Sequence, residues 1–131
     1  MDFIKLLLPK DKFDNSNIAQ IAQLNDEEIQ PIIYDLLEWL QDANFPIFKD
    51  ILPIVAHHQN LVMPYVIAVL QDNDVMWKYW IIESLIPLLS DNNKLRLKSD
   101  LLRLSFLQEK DEDTQAIIEV SKNCLDTYYT K

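Results

Sequence analysis

Glycine does not occur at any of the 131 positions of this chain. Without it, no residue enters the left-handed backbone region at low cost, and tight hairpin turns and phosphate-cradling loops lose the residue they depend on. Walker and dinucleotide-binding loops, EF-hand loops and nucleophile elbows all place glycine where the backbone turns sharply or approaches a ligand, so none can be written here. The nearest calcium-like string, Asp72-Asn73-Asp74, has neither the central glycine nor the distant bidentate glutamate and reads as a loop. Many enzyme classes are removed at once.

What remains is helical. From Ile18 onward apolar residues recur at helical spacing, and strict two-residue alternation is hard to find. The pattern predicts about seven helices, over roughly 16–24, 26–41, 44–57, 61–71, 75–90, 93–108 and 112–127. Asn25 or Asp26 caps the second, with Glu27 and Glu28 at the positive end of its dipole. Asn44 offers an N-cap to the third, with Pro46 in its first turn, where a missing N–H costs little. Apolar residues make up 49 % and charged residues 25 %, the balance of a chain that folds alone, and the length suits one domain over 1–131.

The prolines mark an internal repeat. Pro31 and Pro64 are 33 apart and Pro53 and Pro87 are 34 apart, with Leu40-Gln41-Asp42 and Leu70-Gln71-Asp72 as matching turns. A third turn, Leu107-Gln108-Glu109, precedes the last helix without its prolines, as in a degenerate capping repeat. Pro53 and Pro87 lie inside apolar helical stretches, where each should kink or end its helix. The expected architecture is all-α: an α-α superhelix of stacked antiparallel helical pairs.

Charge is unevenly placed. Residues 13–77 hold ten acids against one base, Lys49, and carry the whole net charge of −9, while the two flanks nearly cancel. Such a segment repels phosphate backbones and suits a basic partner, or simply keeps a small protein soluble. The apolar stretch that starts at Met1-Asp2-Phe3 is too short for a signal core, and no run approaches a membrane span, so no membrane role is expected. With Cys124 the only cysteine, there is no disulfide framework, and a reducing cytoplasm is the expected location.

Leu8-Pro9-Lys10-Asp11-Lys12, then Glu38-Trp39-Leu40-Gln41-Asp42-Ala43-Asn44-Phe45-Pro46, then Asp74 with Trp77-Lys78-Tyr79-Trp80, resemble a bacterial family, domain of unknown function 5071. Phe45 stands where tryptophan is expected in that family. The resemblance covers nearly the whole chain and implies a fold similar to HEAT-like helical repeats, with no activity attached. In HEAT-like units an acid and an aromatic mark the inter-helix turn, here Asp42 with Phe45 and Asp72 with Trp77.

Trp77 and Trp80 share one helical side; they either pack in the core or form an aromatic ledge beside Tyr79, with Trp39 at the corresponding turn of the other repeat. Asp35, Glu38 and Asp42 fall at offsets of three and four, a carboxylate stripe next to Trp39 that reads as a solvated face or as a surface for a basic protein. Catalysis by such a pair is not expected. His57 and His58 point about 100° apart on a helix and cannot easily chelate one ion; they sit where histidine favours a helix C-terminus, and no metal or cofactor is expected. Cys124 has no base near it in sequence, and burial in the last helix is its expected role.

The sequence therefore points to a non-enzymatic protein-interaction module that binds a basic protein partner through Asp35, Glu38, Trp39, Asp42, Asp72, Trp77 and Trp80. Two alternatives are an immunity protein that neutralises a basic toxin and, from another class, a HEAT-like nucleic-acid base glycosylase. The second needs a basic channel, and the only compact basic cluster, Lys94, Arg96, Lys98 and Arg103, is interrupted by Asp100. No nucleic acid is expected as a partner.

Overall fold

Helices in this protein stop without left-handed residues. In the computed structural model, which describes residues 3–129, no described residue has positive φ. Met1 and Asp2, which open the stretch too short for a signal core, lie outside the described residues. Helix ends instead use right-handed or bridge conformations: Ala22 and Trp39 close their helices in the αR region, and Phe106 closes its helix at φ −111°, ψ 12°. The loops are turned by aspartate side chains, which accept backbone N–H groups and so fix a turn without glycine. Asp11 takes Phe13 N–H, Asp42 takes Asn44 N–H and Asp72 takes Asn73 N–H at 2.9, 2.8 and 2.7 Å.

The fold is all-α, with no strand among the described residues. The chain divides between Pro64 and Tyr65 into two units. In the first, a 3₁₀ turn Phe3–Leu7 leads to α1 (Ile18–Ile21), α2 (Asp26–Ile29), a 3₁₀ turn Gln30–Ile32, α3 (Ile33–Glu38) and α4 (Phe48–His57). Next, α5 (Gln59–Gln71) carries the chain past the dividing point. The second unit continues with α6 (Val75–Trp80), a π-helical turn Ile81–Leu85, a 3₁₀ turn Ile86–Leu88, α7 (Asp91–Arg96), α8 (Lys98–Ser105) and α9 (Glu112–Tyr128).

The helix expected over 26–41 forms in pieces. Asn25 is its N-cap, in a capping box in which Asn25 Oδ1 takes Glu28 N–H and Glu28 Oε1 takes Asn25 N–H. Pro31 then interrupts the α ladder, because it has no N–H to donate, and a 3₁₀ turn bridges the gap. Burial holds the pieces in line: Ile29, Ile32, Ile33, Leu36, Leu37 and Leu40 keep the helical stripe and are at most 1 % exposed.

Pro87 acts as its setting predicts. Ile86 N–H reaches back to Ile81 O in a π turn, a 3₁₀ turn follows, and Leu89 is extended. Pro53, by contrast, lies inside α4 without ending it, and Ile51, Ile54 and Val55 around it are buried. The repeat-marking prolines therefore occupy unlike backbone settings: Pro31 and Pro87 lie in 3₁₀ turns, Pro53 and Pro64 within α-helices.

Other boundaries shift as well. The first helix is shorter than 16–24 and ends in single turns from Gln23 to Gln20 O and from Leu24 to Ile21 O. The third starts at Phe48 rather than Asn44, because Asp42 draws Asn44 and Phe45 into a turn of their own. In the second unit α9 packs against α8 and against α6 with its π turn, burying Ile117, Ile118, Val120, Ser121 and Cys124 on one face.

Candidate interaction surface

The carboxylate stripe is two residues long, not three. Asp35 and Glu38 stand one turn apart on α3, but the helix closes at Glu38, and the tighter bonds Trp39 N–H to Leu36 O and Leu40 N–H to Leu37 O rotate the chain away. Asp42 falls in the following turn, where its side chain is engaged by Asn44 N–H. Burial and the neighbouring Asp35 charge raise the Glu38 carboxyl above its usual range. Neither Asp35 nor Glu38 has a cation within ion-pair distance or a hydrogen-bond donor among the described residues. Half-buried Trp39 adjoins them and meets Phe45 edge to face at 5.7 Å.

Much of the acidity in 13–77 has structural work. Asp14 accepts Ser16 Oγ–H, Ser16 N–H and Lys10 N–H, bonds that hold its carboxyl below the usual range. Asp26 pairs with His58, Glu28 completes the capping box, Asp42 and Asp72 close turns, and Asp74 caps α6 by taking Trp77 N–H at 3.0 Å. Aspartate thus does here part of what glycine does elsewhere.

In the second unit the acid-and-aromatic turn is built differently from the sequence expectation. Asp74, not Asp72, binds the backbone of Trp77, and Asp72 is exposed. Trp77 is 6 % exposed, a buried side chain rather than an open ledge, while Trp80 is half-buried against Tyr79 at 4.9 Å, edge to face. Lys78 lies in the field of Asp72 and Asp74; burial and Arg103 hold its ammonium below the usual lysine range. This turn has its own cation, and the α3 pair has none among the described residues.

The histidines are separated by function. His57 is exposed in the last turn of α4, whereas His58 is 3 % exposed, closes the helix, and meets Asp26 Oδ1 through Nδ1. Among the described residues no cluster of three or more His, Cys, Asp or Glu is arranged to hold a metal ion. Cys124 is buried and free, and burial pushes its thiol up to about 11, so it stays protonated at neutral pH.

Part of the basic cluster is also spent on structure. Arg103 donates to Leu70 O at 3.1 Å and to buried Asp100 at 3.3 Å, and Asp100 takes a second bond from Gln71. Lys94 lies 5.0 Å from the Tyr128 ring centroid, and its carbonyl accepts Tyr129 O–H at 2.6 Å. Sequence reasoning passed over a groove of about 370 Å³ between α8 and α9, lined by Lys98, Leu102, Phe106, Lys122, Leu125 and Tyr129. The signal was present in the spacing of Lys98, Leu102 and Phe106, four apart on one side of a helix.

No described helix is long and apolar enough to cross a membrane. No curated protein matches the chain. A family model does, over residues 7–125, which takes in the Leu8–Lys12 string, the Trp39–Pro46 turn and the Trp77–Trp80 helix; the chain belongs to the domain of unknown function family DUF5071.

Proposed function

We propose that this protein is a non-enzymatic, cytoplasmic interaction module of HEAT-like helical pairs that binds a basic protein through the α3 end of its first unit. The observation that supports this reading is the Asp35–Glu38 pair. Two like charges one turn apart repel each other, and Glu38 is partly withdrawn from water, yet no cation among the described residues lies within ion-pair distance of them. An arginine or lysine of a partner relieves that repulsion on binding, and Trp39 beside the pair supplies a flat apolar contact of the kind that anchors interfaces. Asp42 adds charge but is committed to its turn. In the second unit, taken by itself, the turn with Asp72, Trp77 and Trp80 is a weaker candidate, since Lys78 answers the acids there.

The test is capture of partners from an extract of the native cell by wild type and by Asp35→Lys/Glu38→Lys, leaving Asp42 in place because its side chain holds the turn. A basic protein retained by wild type, released by moderate salt and lost from the variant is the expected result. Equal capture by both proteins overturns the assignment.

A further inference from the structure

We propose that the groove between α8 and α9 is a second docking site, of opposite character, for an amphipathic helix whose apolar stripe is bordered by aspartate or glutamate. Its floor is apolar, from Leu102 on α8 and Leu125 and Tyr129 on the α9 side, and Phe106 stands at the rim 81 % exposed. A phenylalanine that open, next to an apolar floor, is surface that a partner gains by covering. The groove also carries cations in a chain whose net charge is −9. Lys98 stands on one wall and Lys122 on the other, and neither has a carboxylate within ion-pair distance among the described residues; Asp126, one turn beyond Lys122, is the single acid of the lining.

The geometry suits a helix. Lys98, Leu102 and Phe106 repeat every four residues, so the wall they form runs about 12 Å, eight rises of 1.5 Å, and matches apolar anchors at i, i+3 or i+4, and i+7 of a helix laid alongside. Acids on both flanks of that helix meet Lys98 and Lys122. A second copy of this chain is a poor occupant, because the helices that combine acids with an apolar stripe, α3, α4 and α9 among them, already bury that stripe at Leu36, Leu37, Ile51, Ile54, Ile117 and Ile118. The occupant is therefore a segment of another protein, and the site is independent of the acidic surface on α3.

A fluorescent synthetic helix with a leucine stripe and glutamate flanks is the probe, read by anisotropy against the full chain. Saturable binding is expected, weakened about tenfold or more by Phe106→Ser, an exposed position whose change leaves the fold intact, and by Lys98→Glu/Lys122→Glu. The charge-reversed variant should in turn prefer a lysine-flanked version of the same helix. Equal binding of a scrambled peptide, or no effect of Phe106→Ser, overturns the proposal. So does self-association of the wild type that Phe106→Ser abolishes, which assigns the groove to a second copy.

Discussion

The Nδ1 atom of His58 lies 2.5 Å from Oδ1 of Asp26, joining the C-terminus of α4 to the first turn of α2 across 32 residues of chain. The two ends of this bond live in different environments: the His58 side chain is 2 % exposed and that of Asp26 is 69 % exposed. With the proton on Nδ1 donated to Asp26, Nε2 is left buried without a partner among the described residues. Removing Asp26 strands a second polar atom of the ring, which costs on the order of 1–3 kcal/mol, the desolvation of one orphaned donor. Urea unfolding of Asp26→Ala should show that loss, and Asp26→Ala/His58→Leu should recover part of it, because the leucine leaves no buried nitrogen. A double variant less stable than the single one contradicts this account.

Glu38 predicts a pH dependence with a definite sign. Its folded carboxyl titrates above the unfolded one, so the folded state is favoured below the unfolded value and loses that advantage as pH rises through the folded value. Above the folded value, wild type therefore carries the Asp35–Glu38 repulsion and Glu38→Gln does not. The site is mostly solvated, which limits the gain to a few tenths of a kcal/mol. Thermal melts of both proteins should separate at pH 7 and converge below pH 4. If Glu38→Gln is less stable than wild type at pH 7, the carboxylate has a compensating contact and the proposed surface loses its basis.

How much of this was legible in the sequence depends on what each residue needed to know. The cap at Asn25 needs only local sequence and is one of the two residues the pattern offers, whereas the return bond from Glu28 Oε1 to Asn25 N–H goes beyond the dipole role expected of that glutamate. α3 closes at Glu38 through the tighter bonds of Trp39 and Leu40, and Asp42 then finds Asn44 N–H, a local competition that helical periodicity does not register, so the acidic stripe is one residue shorter than the spacing predicts. Pro53 and Pro87 look alike in sequence and both have buried apolar neighbours, yet α4 continues through Pro53 while the chain departs from helix two residues after Pro87, a difference that neither flanking residues nor burial registers. The acid excess of 13–77 was legible as charge and hidden as turn chemistry, since the missing glycines and the abundant aspartates had to be read as one fact. The α8–α9 groove needed the tertiary pairing of two helices to exist at all.

Cys124 and Tyr129 together predict how the second unit fails in base. Burial raises both groups, the thiol to about 11 and the phenol further above its usual value. Groups raised in this way leave stability intact below their unfolded pKa and withdraw it as pH climbs toward the folded one, so the loss should begin near pH 9 and deepen through pH 11. Native Cys124 should react with iodoacetamide at pH 8 roughly a hundredfold or more slowly than the thiol of the urea-unfolded chain, two pKa units of lost thiolate plus burial. Comparable rates in the two states show that the face of α9 opens readily.

Asp72 and Asp100 make the sharpest contrast among the acids, because only one of them is tied to distant chain. Exposed Asp72 accepts a bond from its neighbour Asn73, whereas Asp100, 8 % exposed, receives Gln71 and Arg103, and Arg103 also reaches Leu70 O. That network binds the end of α5 to α8, and its guanidinium is thereby occupied. Asp100→Ala removes the acceptor shared by two donors and should cost on the order of 1–3 kcal/mol, while Asp72→Ala should stay within about 0.5 kcal/mol. A nucleic-acid surface predicts a different pattern: Arg103→Ala would weaken DNA binding at low salt and reduce its salt slope by about one. With Arg103 committed to Asp100 and Leu70 O, we expect Arg103→Ala to lower the denaturation midpoint and no DNA retention to be seen in either protein at low salt. DNA retention by wild type that disappears in Arg103→Ala would restore the basic cluster as a phosphate site.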